Sequence, residues 1–470
     1  MAGKNMTSGE VKLKKSLNPL AVWGLAFGCI IGWGSFFNPG LKFLPKAGPL
    51  GTAIAMIFGA LIMAVIAFSY NYLIPRYPKA GGEFTYTRAV FGPIAAYVCG
   101  WFLVLAYWTN VPMNATTFGY MTRFLFDGFF SWGYLWTIAG FDVYLGEVLL
   151  SLAAIVLLTV FSIKGIKIAG AVQTVFAISL AVSVVIIAVC AIFSPMTHLS
   201  DLKPLFSPTA QNTGEAVSGV IAILALAPWA FVGFDTIPQA CEEFNFSHKK
   251  VLRIMLVAIA FGAFVYISNT LVAATAMNEN YSVALNDSSI SWLLGYSVKN
   301  MLGWPGLVVL GIALSCAILT GLLGFLTATS RLMYSMADEG YLPAFFGKLN
   351  KKTHTPVNAL IFCMIISVVG PLFGRTALGW FVDMSSIGAA VGFGFTCAAA
   401  AITAKQRKDV ENWKTIRFLA ILGTVFSAVF LVMFIPGLPA ALEKPSLIML
   451  GIWILFGIIF YFTRSKKTMK

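Results

Sequence analysis

Two short stretches of this 470-residue sequence place glycine or proline among apolar residues in a way that can expose backbone groups for binding. Residues 28–35 read Gly-Cys-Ile-Ile-Gly-Trp-Gly-Ser, and residues 227–235 read Ala-Pro-Trp-Ala-Phe-Val-Gly-Phe-Asp. Proline has no N–H to donate and glycine has a low helix propensity, so a helix is expected to break in each stretch. A broken helix presents unpaired N–H and C=O groups, and its N–H end attracts anions. The predicted chemistry is therefore the binding of a small charged molecule by backbone groups.

The first stretch is predicted to bind a carboxylate, and both stretches together are predicted to bind an ammonium group. The amides expected to lose their acceptors are those of Ile31, Gly32, Trp33, Gly34 and Ser35. The carbonyls expected to be freed lie near Gly28, Ile30, Ala230 and Phe231. An α-amino acid carries both charged groups at that separation. A polyamine or other organic amine carries only positive charge, so its site would need several carboxylates. The acids expected at membrane depth are few, namely Asp235, Asp383 and Glu147. An amino acid is favoured as the ligand, and an amine is the alternative.

The composition places both stretches inside a membrane. Hydrophobic residues make up 59% of the chain and charged residues 11%, whereas a soluble domain has about 25% charged residues. The apolar runs are far longer than a barrel strand, which indicates membrane-spanning helices. The seven cysteines form no CxxC pair, and the three histidines have no second ligand at metal spacing. The sequence therefore predicts no enzyme activity, no metal site and no cofactor.

Twelve apolar segments are predicted to span the bilayer. They lie at 19–44, 48–74, 84–124, 143–162, 168–194, 212–241, 251–277, 303–336, 356–374, 378–403, 416–436 and 445–463. If the chain starts inside, 25 of its 32 lysine and arginine residues fall on inner segments, as the positive-inside rule requires. The first sixteen residues lack the apolar core of a signal peptide. We expect an all-α multi-pass protein of the plasma (inner) membrane with both termini in the cytoplasm. Its net charge of +14 then reflects topology and anionic lipid headgroups rather than nucleic acid.

The two breakable stretches fall in spans 1 and 6, whose starts are five spans apart. An odd number of spans per repeat makes the second copy enter the membrane from the opposite side, so spans 1–5 and 6–10 are predicted to be inverted repeats. The predicted division is a cytoplasmic tail at 1-18, the first five-helix repeat at 19-205, the second repeat at 206-404, spans 11 and 12 at 405-463, and a cytoplasmic tail at 464-470.

Four motifs follow one another along the chain. They are Gly28 to Phe36 with Pro39-Gly40 and Ala47-Gly48-Pro49, then Pro-Lys-Ala-Gly-Gly-Glu-Phe-Thr-Tyr at 78–86, then Gly-Phe-Asp at 233–235 with Glu242-Glu243, and last Ser-Arg-Leu-Met-Tyr at 330–334 with Asp-Glu-Gly-Tyr-Leu-Pro at 338–343 and Thr355-Pro356. In these motifs the chain resembles the amino acid–polyamine–organocation (APC) transporter family. The resemblance implies two inverted five-helix repeats with two extra helices, broken spans 1 and 6, and alternating access of one substrate near the membrane midplane.

The resemblance also implies roles for particular side chains. Trp229 matches the family's aromatic gate over the substrate, and Asp235 matches an acidic position expected to act in gating or proton binding. Added to the backbone groups above, the predicted substrate-binding residues are Ile30, Ile31, Gly32, Trp33, Gly34, Ser35, Tyr107, Asn110, Trp229, Ala230, Gly233 and Phe325, with Asn114 as a further polar position of span 3.

Two departures from the family pattern bear on substrate and coupling. Trp33 stands where many members have a small residue, which favours a compact substrate. In some proton-coupled relatives a lysine of span 5 occupies the space of a sodium ion, and the stretch 173–180 has none. Coupling to protons or exchange is expected, with Asp235 as the titrating group. Sodium symport remains an alternative, because carbonyls near Gly28 and Ile31 and the hydroxyl of Thr320 could bind the ion.

Charged residues cluster at the predicted inner ends of spans 6 and 8. They are Glu242, Glu243, Arg331, Asp338 and Glu339, and they form either an inner gate of ion pairs or solvated helix ends. No cysteine occurs at 125–142, so no covalent partner subunit is expected. A channel or a substrate sensor on the same scaffold is the alternative function, because a fold does not fix a function.

Overall fold

Long apolar helices dominate the computed structural model, which describes residues 13–275, 280–287, 289–407, 412–438 and 440–464. The tails predicted at 1-18 and 464-470 lie largely outside the described residues.

The helices follow the predicted apolar segments in order. The first half of the described chain forms α1 (Pro19–Ile30), α2 (Gly34–Asn38), α3 (Leu44–Leu73), α4 (Gly82–Phe91), α5 (Pro93–Trp108), α6 (Asn110–Leu125), α7 (Leu145–Ile163) and α8 (Ile166–Phe193). The second half forms α9 (Thr213–Leu224), α10 (Ala227–Ala230), α11 (Val251–Ala273), α12 (Tyr281–Ala284), α13 (Leu293–Asp338), α14 (Val357–Ser367), α15 (Val369–Phe373), α16 (Thr376–Gln406), α17 (Trp413–Met433) and α18 (Lys444–Thr463). A π-helical turn, Pro39–Phe43, joins α2 to α3, and a 3-10 helix, Phe234–Glu243, follows α10.

Ten helical stretches of the described chain are long and apolar enough to cross a membrane. Two shorter apolar helices, Pro19–Ile30 and Val357–Phe373, lie where the sequence predicts spans 1 and 9. The prediction of a helical multi-pass membrane protein is confirmed. The count of twelve spans and the inverted repeat remain predictions.

One connection departs from the all-α prediction. Strands β1 (Tyr134–Ile138) and β2 (Phe141–Tyr144) pair antiparallel between α6 and α7. Ala139 and Gly140 form the two-residue turn between them, both with positive φ, as tight hairpins require. The strands are rich in aromatic and β-branched residues, which favour a strand once the chain has left the apolar segments.

Both predicted helix breaks are present. The first lies between the end of α1 at Ile30 and the start of α2 at Gly34, and Ile31 is extended there with φ −99° and ψ 99°. The second lies after α10, where Gly233 takes a φ of 144° that only glycine adopts readily. The two breaks touch, because a Cβ atom on Gly233 would lie 2.6 Å from the amide nitrogen of Ile30.

Ion pairs and hydrogen bonds join the ends of spans 6 and 8 to the start of span 1. The Arg331 guanidinium donates two hydrogen bonds to the Glu243 carboxylate, at 2.5 and 3.0 Å, and both side chains are buried. The carbonyl of Glu243 accepts from the amides of Ser16 and Leu17 at 2.8 and 2.9 Å.

Two more of the predicted acids have partners of their own. Glu339 pairs with Arg88 and Lys79, and Glu242 accepts from the amide of Ala80 at 2.9 Å. The Arg331–Glu243 pair is thus buried, whereas the pairs of Glu339 involve side chains that solvent reaches.

We expect Arg331→Leu to lower the free energy of unfolding by about 3–5 kcal/mol, because it leaves the Glu243 carboxylate buried without its cation. The double variant Arg331→Leu/Glu243→Leu should recover most of the loss. Lys79→Leu is the matched control, since its pair with Glu339 is exposed and contributes about 1 kcal/mol or less. Denaturant titration of the purified protein in micelles measures all three. A double variant less stable than Arg331→Leu would contradict this account.

Candidate functional site

The break in span 1 leaves three backbone amides without a partner in the described part of the chain, those of Gly32, Trp33 and Gly34. This is fewer than the five that the sequence predicts. The amide of Ile31 still donates to the carbonyl of Phe27 at 2.9 Å, and the amide of Ser35 donates to the carbonyl of Gly32 at 3.3 Å. The remaining amides stand at the N-terminal end of α2, where a carboxylate is favoured.

Unpaired carbonyls line both breaks. Across the described residues, no backbone N–H donates to the carbonyls of Gly28, Ala230 or Phe231. The carbonyl of Ile30 accepts one hydrogen bond, from the hydroxyl of Tyr266 at 3.3 Å, and keeps a second lone pair. Tyr266 is a residue that the sequence analysis did not single out. These oxygens are suited to an ammonium group.

Two tryptophans close the space next to the free amides. The rings of Trp33 and Trp229 lie 5.9 Å apart, and both side chains are buried. A Cβ atom on Gly34 would lie 2.2 Å from Cη2 of Trp229, so only glycine fits beneath that ring. The indole Nε1 of Trp33 has no hydrogen-bond partner in the described structure.

Gly32 is partly exposed and lies beside Asn114. Of the twelve predicted substrate-binding residues, all of them described, Gly32 alone keeps partial exposure. A Cβ atom on Gly32 would lie 3.1 Å from Oδ1 of Asn114, and that oxygen is buried without a donor among the described residues. A Cβ atom on Gly321 would lie 2.8 Å from Nδ2 of Asn114, so this glycine of α13 makes room for the amide. Asn114 therefore offers a free polar atom next to the break.

The side-chain amide of Asn110 already donates hydrogen bonds to other residues. Its Nδ2 donates to the carbonyl of Ala106 at 2.7 Å and to the hydroxyl of Ser385 at 2.8 Å. It joins the start of α6 to α16.

Tyr107, Phe325 and Asp235 form a neighbouring cluster. The Tyr107 hydroxyl lies 3.0 Å from both the carbonyl and Oδ2 of Asp235, and the ring of Phe325 packs 6.2 Å from that of Tyr107. Oδ1 of Asp235 accepts from the amide of Gly233 at 2.6 Å. Asp235 thus stabilises the backbone at the break of span 6.

Glu83 belongs to this cluster and was not predicted as a site residue. Its carboxylate accepts from the hydroxyl of Tyr70 and from Nε2 of Gln239, each at 2.7 Å. The sequence signal was its place in the motif at 78–86. Its complete burial could not be read from that motif.

The side-chain amide of Gln173 lies between spans 1 and 8, next to the region suggested for a sodium ion. Nε2 of Gln173 in α8 donates to the carbonyls of Thr320 and Gly24 at 3.0 and 3.3 Å, and it would lie 2.5 Å from a Cβ atom on Gly28. The Thr320 hydroxyl donates to the carbonyl of Cys316 at 2.7 Å. Within the described ranges, no group of three or more His, Cys, Asp or Glu residues is placed to hold a metal ion.

Comparison with known proteins gives one family over nearly the whole chain. Residues 17–460 match the family described as amino acid permease. A relative of similar length is the branched-chain amino acid permease BcaP of Bacillus subtilis, which is 26% identical over 99% of this chain and 96% of its own length.

Mammalian transporters match a shorter part. The large neutral amino acids transporter small subunit 2 of mouse is 28% identical over 77% of this chain and 65% of its own length, so the match spans less than two thirds of that protein. The human Asc-type amino acid transporter 1 is 27% identical over 78% of this chain and 68% of its own length. From the match over residues 17–460, this chain belongs to the amino acid permease family of APC transporters.

Proposed function

We propose that this chain is a secondary active transporter that carries a small neutral α-amino acid across the plasma membrane by alternating access, with both termini in the cytoplasm. The observation that supports the substrate class is the set of unpaired amides at Gly32, Trp33 and Gly34 beside unpaired carbonyls of the two touching breaks. The hydrocarbon core supplies no partner for these groups, so at membrane depth they need a partner within the protein, a ligand or water in a cavity. A zwitterionic amino acid satisfies both sets at once.

A neutral side chain is favoured because the membrane-depth acids are already engaged. One carboxylate oxygen of Asp235 accepts a hydrogen bond from the Gly233 amide, and the other accepts one from the Tyr107 hydroxyl. Glu147 pairs with Arg123 at 2.5 and 2.9 Å, and Asp383 accepts from Ser446 at 2.6 Å. A polyamine would need free carboxylates in the site, so the amine alternative loses its support.

The contact between Trp33 and Trp229 supports a compact side chain. The names of two relatives point to larger ones, since one is a transporter of large neutral amino acids and another a branched-chain amino acid permease. A larger neutral amino acid is therefore the second candidate, and it requires the two indoles to move apart.

We propose coupling to protons or to exchange. The amide nitrogen of Gln173 donates to the carbonyls of Gly24 and Thr320 and lies close to Gly28, so it fills part of the region between spans 1 and 8 in which a sodium ion would have to bind. A donor group and a cation compete for the same lone pairs. Sodium symport thus requires Gln173 to leave.

We propose no disulfide-linked partner. The mouse relative is named as a small subunit. The connection at 125–142 of this chain, which includes the β-hairpin, contains no cysteine that could form such a link.

Counterflow in sealed proteoliposomes tests the proposed function. Radiolabelled L-alanine should enter by a saturable route that internal L-alanine accelerates, and replacing sodium with choline should leave it unchanged. L-Leucine should compete less than L-serine, whereas the reverse order supports the second candidate. Flux without saturation indicates a channel, binding without flux indicates a sensor, and loss of flux in choline indicates sodium symport.

Gly34→Val should abolish counterflow while leaving folded protein in the membrane. The new side chain would collide with Trp229 and cover the free amides. Gly451→Val is the matched control, because nothing lies within 4 Å of that glycine in α18. Substrate affinity is measured by competition. Wild-type affinity in Gly34→Val would refute the carboxylate site.

Trp33→Ala should widen substrate selectivity toward bulkier neutral amino acids, with weaker binding of the native one. The change removes the ring that packs against Trp229. Competition of L-phenylalanine against L-alanine counterflow measures it, and Trp304→Ala, on the exposed side of α13, is the control. An unchanged competition profile would make Trp33 a packing residue only.

A further inference from the structure

Two carboxylates lie close together in the interior, next to the break of span 6. Glu83 stands at the start of α4, and Asp235 stands in the 3-10 helix after the break of span 6. Both side chains are fully buried. The proposed substrate site does not use Glu83.

A single hydroxyl joins the two carboxylates. The Tyr107 oxygen lies 3.0 Å from Oδ2 of Asp235 and 3.4 Å from Oε1 of Glu83. That hydroxyl has one proton, so it can donate to only one carboxylate at a time. It can accept a proton from the other.

No cation balances the pair in the described structure. No lysine or arginine nitrogen of the described residues pairs within 4 Å with either carboxylate. The titratable side chains that face the pair are neutral at neutral pH. They are Cys29 on α1, Tyr70 on α3, Tyr86 on α4, and Cys99 and Tyr107 on α5. Two buried negative charges without a cation are strongly unfavourable together.

A second observation points to a proton. Gln239 donates through Nε2 to Glu83, while its Oε1 is buried without a donor among the described residues. When the amide group turns over, Oε1 can accept from a protonated Glu83 carboxyl. Gln239 can therefore pair with Glu83 in either protonation state.

We propose that Glu83 and Asp235 hold one proton between them, and that Glu83 is a proton-binding residue of the transport cycle. This rests on the proposed function. The proton on one carboxyl passes to the Tyr107 oxygen as the Tyr107 proton passes to the other carboxylate, so the tyrosine is unchanged. A proton on Asp235 weakens its hydrogen bond from the Gly233 amide, and Gly233 packs against Ile30 of the substrate site. The charge of the pair thereby affects the geometry of the site.

Proteoliposomes with a trapped pH-sensitive dye test this inference. Inward L-alanine flux through the wild-type protein should acidify the lumen. Glu83→Gln should lose most of that acidification and its dependence on external pH, yet retain alanine counterflow. Glu215→Gln, an exposed acid of α9, should behave as wild type.

The outcomes separate the two proposals. Counterflow without proton movement in the wild type, or full proton movement in Glu83→Gln, overturns the shared proton and leaves transport standing. Absence of counterflow in the wild type overturns the proposed function. If Glu83→Gln does not fold, infrared spectroscopy of the wild type decides, since a shared proton gives a protonated-carboxyl band at neutral pH that Asp235→Asn changes. A spectrum that Asp235→Asn leaves unchanged contradicts the proposal.

Discussion

A bilayer offers no water to backbone N–H and C=O groups, and this constraint governs how the rest of the molecule is built. Helices pair almost all of these groups internally, so the exceptions carry information. Among them are the amides of residues 32–34 and the carbonyls of Gly28, Ala230 and Phe231, where the two broken spans touch. An unsatisfied buried polar group costs about 1–3 kcal/mol, and breaks at that cost persist only where other contacts hold them or a ligand completes them.

The contacts that hold the breaks come from side chains on other elements. Tyr266 donates to the carbonyl of Ile30, and Asp235 accepts from the amide of Gly233. Through Tyr107, Asp235 is joined to Glu83 at the start of α4. A charge change at the acids and a ligand at the amides therefore act on the same backbone. This is a physical route by which proton binding and substrate binding can affect one conformational equilibrium.

The positions of the two helix breaks could be predicted from the sequence, but the hydrogen bonds around them could not. Glycine and proline inside apolar runs predict both breaks, because propensity is a local property. The amide of Ile31 still donates a hydrogen bond to the carbonyl of Phe27. This depends on the residue at which α1 ends, and tertiary packing decides that residue. Asn110 and Asn114 share one helical face, and only the contact with Ser385 reveals that Asn110 is occupied. The hairpin after α6 was missed because apolar length gives no signal about connections outside the membrane.

The central claim is that bare backbone amides bind the substrate carboxylate. The most direct measurement is how well three compounds compete with labelled L-alanine in counterflow: L-alanine itself, L-alanine amide and ethylamine. The amide keeps the amine but loses the carboxylate charge, and ethylamine lacks the carboxylate altogether. The account predicts that only the amino acid competes at concentrations near its own half-saturation. Equal competition by the amide or the amine would contradict it, because recognition would then rest on the cation alone.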